Sequence, residues 1–125
     1  MPAWTQDELG KIGVAEELHL ASRRADETLR RPVTMWVVRY GEELYVRSVK
    51  GRTGPWFRGT QDRHEGHIRA GGIEKDVSFV DAEPEVHDGI DAAYRAKYRG
   101  PNAQFVPAVL TAAARASTLR LMPRF

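Results

Sequence analysis

At 125 residues and 14.1 kDa the chain has the size of one domain, long enough for a real core but not for two. An apolar fraction of 42% and a charged fraction of 29% belong to globular rather than disordered chains. Cysteine is absent, which excludes disulfides, thiolate nucleophiles, iron–sulfur clusters and Cys-ligated zinc together.

The net charge is only +2, although a pI of about 9.1 leans basic through arginine. Arginine suits phosphate and carboxylate recognition because its planar fork makes two parallel hydrogen bonds. A nucleic-acid binder would carry a denser basic stripe, so no nucleic-acid partner is expected. No apolar run approaches the roughly 20 residues that span a bilayer. The N-terminal stretch is acidic and polar where a secretory signal needs a basic start and an apolar run, so the expectation is a cytoplasmic protein without a membrane partner.

In chain order, Thr5 with Glu8 has the spacing of a capping box, and a short helix to about Ile12 follows, weakened by Gly10 and Gly13. Glu17 to Arg24 alternates Leu18, Leu20 and Ser22 with His19, Ala21 and Arg23, the pattern of a half-buried strand. His19 on such a strand reads as a hydrogen-bonded structural residue. Asp26 to Pro32 is a loop. Thr34 to Tyr40 is dense in β-branched and aromatic residues and predicts a strand buried on both faces. Gly41-Glu42 supplies a hairpin turn, and Leu44 to Val49 pairs back, with Leu44, Val46 and Ser48 facing one way and Tyr45, Arg47 and Val49 the other.

Lys50 to Pro55 reads as a loop leading into a short helix over Trp56 to Arg63. His67 to Ala70 and Ile73 to Val80 form a second hairpin around Gly71-Gly72. Glu83 to Tyr98 is helical, with Pro84 in its first turn and an apolar stripe of Val86, Ile90, Ala93 and Tyr94, and Gly100-Pro101 ends it. Phe105 to Arg115 predicts a weaker helix interrupted by Pro107, and Ser117 to Met122 a closing strand. The sum is a mainly β, α+β domain over residues 1–125: about six short antiparallel strands in a small barrel or curled sheet, with three or four short helices.

The loop after the first hairpin concentrates the chemistry. Lys50, Arg52 and Arg58 lie beside Trp56 and Phe57, and cations that converge on phosphate oxygens next to an aromatic face suit an anionic, partly aromatic ligand. The glycines there let backbone N–H groups approach an anion. A solvated surface loop and a tryptophan that plugs the barrel end are the alternatives. Asp62-Arg63-His64-Glu65-Gly66-His67 is the other polar concentration. His64, Glu65 and Asp62 are candidates for acid–base work, since an imidazole titrates near neutrality. HEGH is one residue short of the helical HExxH zinc signature and Gly66 opposes a helix, so no metal is expected.

The segments VRSVKG, GPWFR and GHIRAGGIEKDVSF, in that order after a glycine-turned hairpin, resemble the split-barrel superfamily of pyridoxamine-phosphate-oxidase-like flavin-binding proteins. The chain is most similar to an uncharacterised family of small bacterial proteins within it, and AAYRAKYRG and STLRLMPR extend that resemblance to roughly Thr5 to Arg124. It implies a six-stranded antiparallel split β-barrel flanked by short helices, a homodimer, and FMN or a deazaflavin in a cleft. Gly54-Pro55-Trp56-Phe57 also resembles the Pro-x-Trp-(Tyr/Phe) segment of deazaflavin-dependent nitroreductases, although Arg58-Gly59 stands where Asn-Leu is usual. Carried onto this chain, the phosphate contacts are Arg47, Ser48, Lys50 and Arg52, with Trp56 and Arg58 on the rim. The function implied is cofactor binding and oxidoreductase chemistry on a small molecule. The alternatives are a cofactor-free biosynthetic enzyme that works by acid–base catalysis in the same cleft and a non-catalytic interaction module.

Overall fold

A computed structural model describes residues 3–124. In chain order the elements are α1 (Gln6–Val14), β1 (Leu18–Ser22), β2 (Val33–Met35), β3 (Val38–Tyr40), β4 (Glu43–Val46), α2 (Pro55–Thr60), β5 (Glu65–Ala70), β6 (Ile73–Asp81), α3 (His87–Lys97), α4 (Ala112–Ala116) and β7 (Leu119–Pro123). Turns of 3-10 helix cover Gly51–Thr53, Pro84–Val86 and Gly100–Val109.

All the described strands join one antiparallel sheet in the order β2-β1-β5-β6-β7-β4-β3. Its edge strands β2 and β3 are separated in the chain only by Trp36 and Val37. The steps from Met35 to Val38 span at most about 11 Å, so the two edges approach one another there and the sheet curls into a half-barrel.

The sheet has seven strands, not six. Thr34 to Tyr40 does not run as one strand, because Val33–Met35 pairs with β1 at one edge while Val38–Tyr40 pairs with β4 at the other. The chain must break at Trp36-Val37 to cross between them. Nor is the segment buried on both faces: Val33 and Thr34 are exposed, and only Val37 and Val38 are fully buried.

The two expected hairpins form with the expected turns. Gly41 takes φ +64°, with Val38 opposite Tyr45 and Tyr40 opposite Glu43. The first hairpin is shorter than predicted, since β4 ends at Val46 and the next amide in hand, Ser48 N, donates to Ser117 Oγ at 2.8 Å. The Phe105 to Arg115 helix is also corrected. Gly100 and the two prolines, Pro101 and Pro107, favour a ten-residue 3-10 run, and a true helix begins only where the Thr111 hydroxyl caps Ala112–Ala116.

Two apolar clusters lie on opposite faces of the curled sheet. Inside, Leu18, Leu20, Leu44, Val46, Ile68, Val77, Phe79, Leu119 and Leu121 close around Phe57, with Leu9 and Ile12 of α1 plugging the same space. The capping box sets α1 in place: Thr5 Oγ1 accepts from Glu8 N at 3.1 Å and Glu8 Oε1 accepts from Thr5 N at 2.9 Å. Outside, Val38 and Tyr45 pack on Ile90, Tyr94 and Tyr98 of the α3 region and on Val106 and Val109. The alternation along β4 accounts for both, with Leu44 and Val46 inward and Tyr45 outward.

Candidate functional site

Beyond β4 the chain leaves the sheet and turns through Gly51–Thr53 into α2, while β2 and the Gly100–Val109 segment stand nearby. Between these elements lies a cleft of about 650 Å³, within the range of small-molecule sites. Its lining combines Val33 to Trp36, Arg47 to Lys50, Gly54 to Trp56, and Phe105, Ala108 and Val109, with Glu17 at its border. The walls are largely apolar and both Trp36 and Trp56 are half-buried.

Four of the residues singled out from the sequence, Arg47, Ser48, Lys50 and Trp56, line this cleft. Their availability differs. Ser48 is 1% exposed, and its hydroxyl makes no hydrogen bond to any described residue. It lies so close to Gly54 that a Cβ there would come within 2.5 Å of Ser48 Oγ. The Lys50 ammonium is exposed and has no acidic partner among the described residues.

Arg47 is different. Its Nε donates to Thr118 Oγ1 at 2.9 Å, Nη1 donates to Asp91 Oδ1 at 2.5 Å and to Val109 O at 2.8 Å, and Nη2 meets His87 Nδ1 at 3.3 Å and His87 O at 3.4 Å. These contacts use all five N–H donors of a guanidinium. Arg47, just past β4, therefore ties this stretch to α3, to Thr118 just before β7 and to the Gly100–Val109 segment. Burial, then the positive charges of Arg47 and Arg115, push the His87 imidazole down, in keeping with a neutral ring that accepts from Arg47.

The other candidates lie outside the cleft lining. Arg52 donates to Ala116 O at 3.0 Å and covers the Phe57 ring at 4.8 Å. Arg58 is exposed on α2. Asp62 pairs with Arg30, and Glu65 with Arg124 and Arg63, whose hydrogen bonds and charges hold the Glu65 carboxyl below its usual range. His64 is exposed with φ +56°. Among the described residues no three His, Asp or Glu side chains converge as a metal site would need. His19 is hydrogen-bonded as expected, with Nδ1 at 3.1 Å from Thr34 Oγ1.

Sequence reasoning missed Trp36, Phe105 and Val109. Trp36 sat inside an apparent strand, and the other two sit in a segment read as helix. Only the strand break and the 3-10 run bring them to the cleft.

Residues 8–121 match a family described as an uncharacterized protein conserved in bacteria (DUF2255). The chain belongs to this family. No curated protein matches it in sequence. Among solved structures, the fold is similar to an F420 reductase at 16% identity, covering 98% of this chain and 97% of that one with a TM-score of 0.60. It is also similar to a conserved hypothetical protein from Mycobacterium tuberculosis at 12% identity, covering 99% and 83% with a TM-score of 0.67. A third is an FAD-binding protein from Mesorhizobium loti at 13% identity, covering 98% and 92% with a TM-score of 0.61. At these identities the likeness is one of fold, and it agrees with the split-barrel resemblance read from the sequence. Among the described residues no helix is long and apolar enough to cross a membrane.

Proposed function

We propose that the chain binds a flavin- or deazaflavin-type cofactor in the cleft and acts with it as an oxidoreductase on a small molecule. One observation carries the reading. A single cavity brings together two half-buried tryptophans, a buried serine hydroxyl without a partner among the described residues, and a lysine without an acidic partner among them. Aromatic faces suit a planar ring system, and a hydroxyl donor beside a compact cation suits phosphate oxygens. The F420 reductase and the FAD-binding protein of similar fold support the same ligand class.

When bound, such a cofactor supplies the hydride or electron transfer. The chain's own residues would hold and orient it: Ser48 and Lys50 meet the phosphate, the apolar walls exclude water from the ring, and Arg47 fixes the stretch just past β4 that carries Ser48 and Lys50. Arg52 and Arg58 stand outside the cleft lining. The acid–base alternative is not favoured, because the titratable side chains of the lining are Glu17, Arg47 and Lys50 rather than His64, Glu65 or Asp62. The homodimer would cover Val33, Val49 and Phe105, exposed apolar residues of the cleft lining, with a second copy, and light scattering would give its mass.

The absorption spectrum of the purified protein, followed by titration with FMN, FAD and the deazaflavin F420, tests the reading. Saturable binding of at least one at tens of micromolar is expected. Absence of binding by all of them would sink it.

A further inference from the structure

Trp36 lies in the two-residue break between β2 and β3, belongs to neither strand, and lines the cleft. Its indole stacks face to face on Tyr98, with ring centres 3.8 Å apart and planes 8° apart. Tyr98 is itself almost fully buried, and burial pushes its phenol well above the usual range, so the hydroxyl stays protonated and donates to Glu16 O at 2.6 Å. The same hydroxyl accepts from Val37 N at 3.3 Å. Lys97 Nζ donates to Val37 O at 2.6 Å and stands 5.1 Å from the Tyr98 ring centre. Two consecutive residues that close α3 thus hold the N–H and the C=O of Val37, the residue after Trp36, and one of them supports the indole ring.

A strand break alone would leave an indole at a cleft free to turn. Here the next residue, Val37, is bonded at both N–H and C=O, and the ring is backed by a second ring stacked on it. Such fixing lowers the ordering cost of stacking a ligand on it. We infer that Trp36 is the ring-binding platform of the cleft, for a planar heteroaromatic such as an isoalloxazine, and that Tyr98 is the residue that positions it. This rests on the flavin reading and adds to it a residue that makes no phosphate contact.

The test uses lumiflavin, which has the ring without the phosphate, beside FMN. Against the wild-type chain, Trp36→Leu should weaken lumiflavin binding about tenfold or more, as loss of an aromatic stacking partner does. Trp36→Phe should keep most of the affinity and make the bound flavin more fluorescent, because the electron-rich indole that quenches it is gone. Tyr98→Leu should weaken lumiflavin as Trp36→Leu does, and Tyr98→Phe should restore most of it. Lys50→Ala should weaken FMN and leave lumiflavin unchanged. If flavins bind but lumiflavin affinity and flavin fluorescence are the same in wild type, Trp36→Leu and Trp36→Phe, the platform assignment is overturned while the flavin reading stands. If neither lumiflavin nor FMN binds the wild-type chain, the platform assignment is overturned, and the cofactor reading falls with it only if FAD and F420 fail to bind as well.

Discussion

Arg47 Nη1 and Asp91 Oδ1 lie 2.5 Å apart, with the arginine side chain fully buried and the aspartate side chain 14% exposed. No other ion pair among the described residues excludes the cation so completely from water. Removing one partner of such a pair leaves an uncompensated buried charge, whereas replacing both by apolar groups of similar size is often close to neutral. Asp91→Ala should therefore cost about 3 kcal/mol in urea unfolding, and Arg47→Met with Asp91→Leu should cost less than Asp91→Ala alone. A double variant worse than the single would remove the pair as the organising contact.

Two histidines give opposite pH dependences. The His67 ring has Nδ1 at 3.0 Å from Asp76 and Nε2 at 3.1 Å from Glu74. Burial is the largest single influence and lowers its pKa, but the two hydrogen bonds and the two carboxylate charges together raise it above 6.5. A raised folded-state pKa contributes stability that is complete below the unfolded value and fades as pH rises through the folded one. His67→Gln should thus be less stable than wild type near about pH 6 and indistinguishable near about pH 9.

His87 works the other way, because burial and Arg47 hold its pKa below 6.5. Its contribution is present above that value and is lost as the pH falls. Unfolding midpoints measured across this range should show His87→Gln losing the wild type's acid-side decline, and His67→Gln losing the alkaline-side one. Identical profiles for the two variants would contradict both assignments.

Gly54 has φ −62°, which any residue adopts, yet a Cβ there would meet Ser48 Oγ at 2.5 Å. Gly54→Ala should cost about 1–2 kcal/mol through overpacking, and adding Ser48→Ala should recover most of that loss by removing the atom in the way. A deficit that persists in the double variant would point instead to the Gly51 carbonyl, 3.3 Å from the same position.

The readable parts of the fold were those whose causes are local. The Thr5 and Glu8 capping box, the Gly41 turn and the Gly71-Gly72 turn each lie within a few residues, and all three form as read. The break at Trp36-Val37 was hidden, because apolar and β-branched residues run straight through it and only the curl of the whole sheet demands it. Arg47 was expected at the phosphate through the split-barrel resemblance, and it does line the cleft, but its guanidinium is engaged within the protein. Its partners Asp91, Val109 and Thr118 lie 44 to 71 residues away in sequence, so nothing local announced its burial. Lys50 and Trp56 were legible as part of a local cluster and Ser48 through the split-barrel resemblance, while Trp36 and Phe105 joined the cleft only through tertiary structure.

Equilibrium dialysis of the purified chain against FMN and the deazaflavin, run side by side with the Ser48→Ala, Lys50→Ala double variant, tests the central claim most directly. The account predicts saturable binding of at least one of the two to the wild-type protein, weakened about tenfold or more in the double variant through loss of a charge-assisted hydrogen bond and a hydroxyl donor. No saturable binding, or equal affinity in the two proteins, would contradict it.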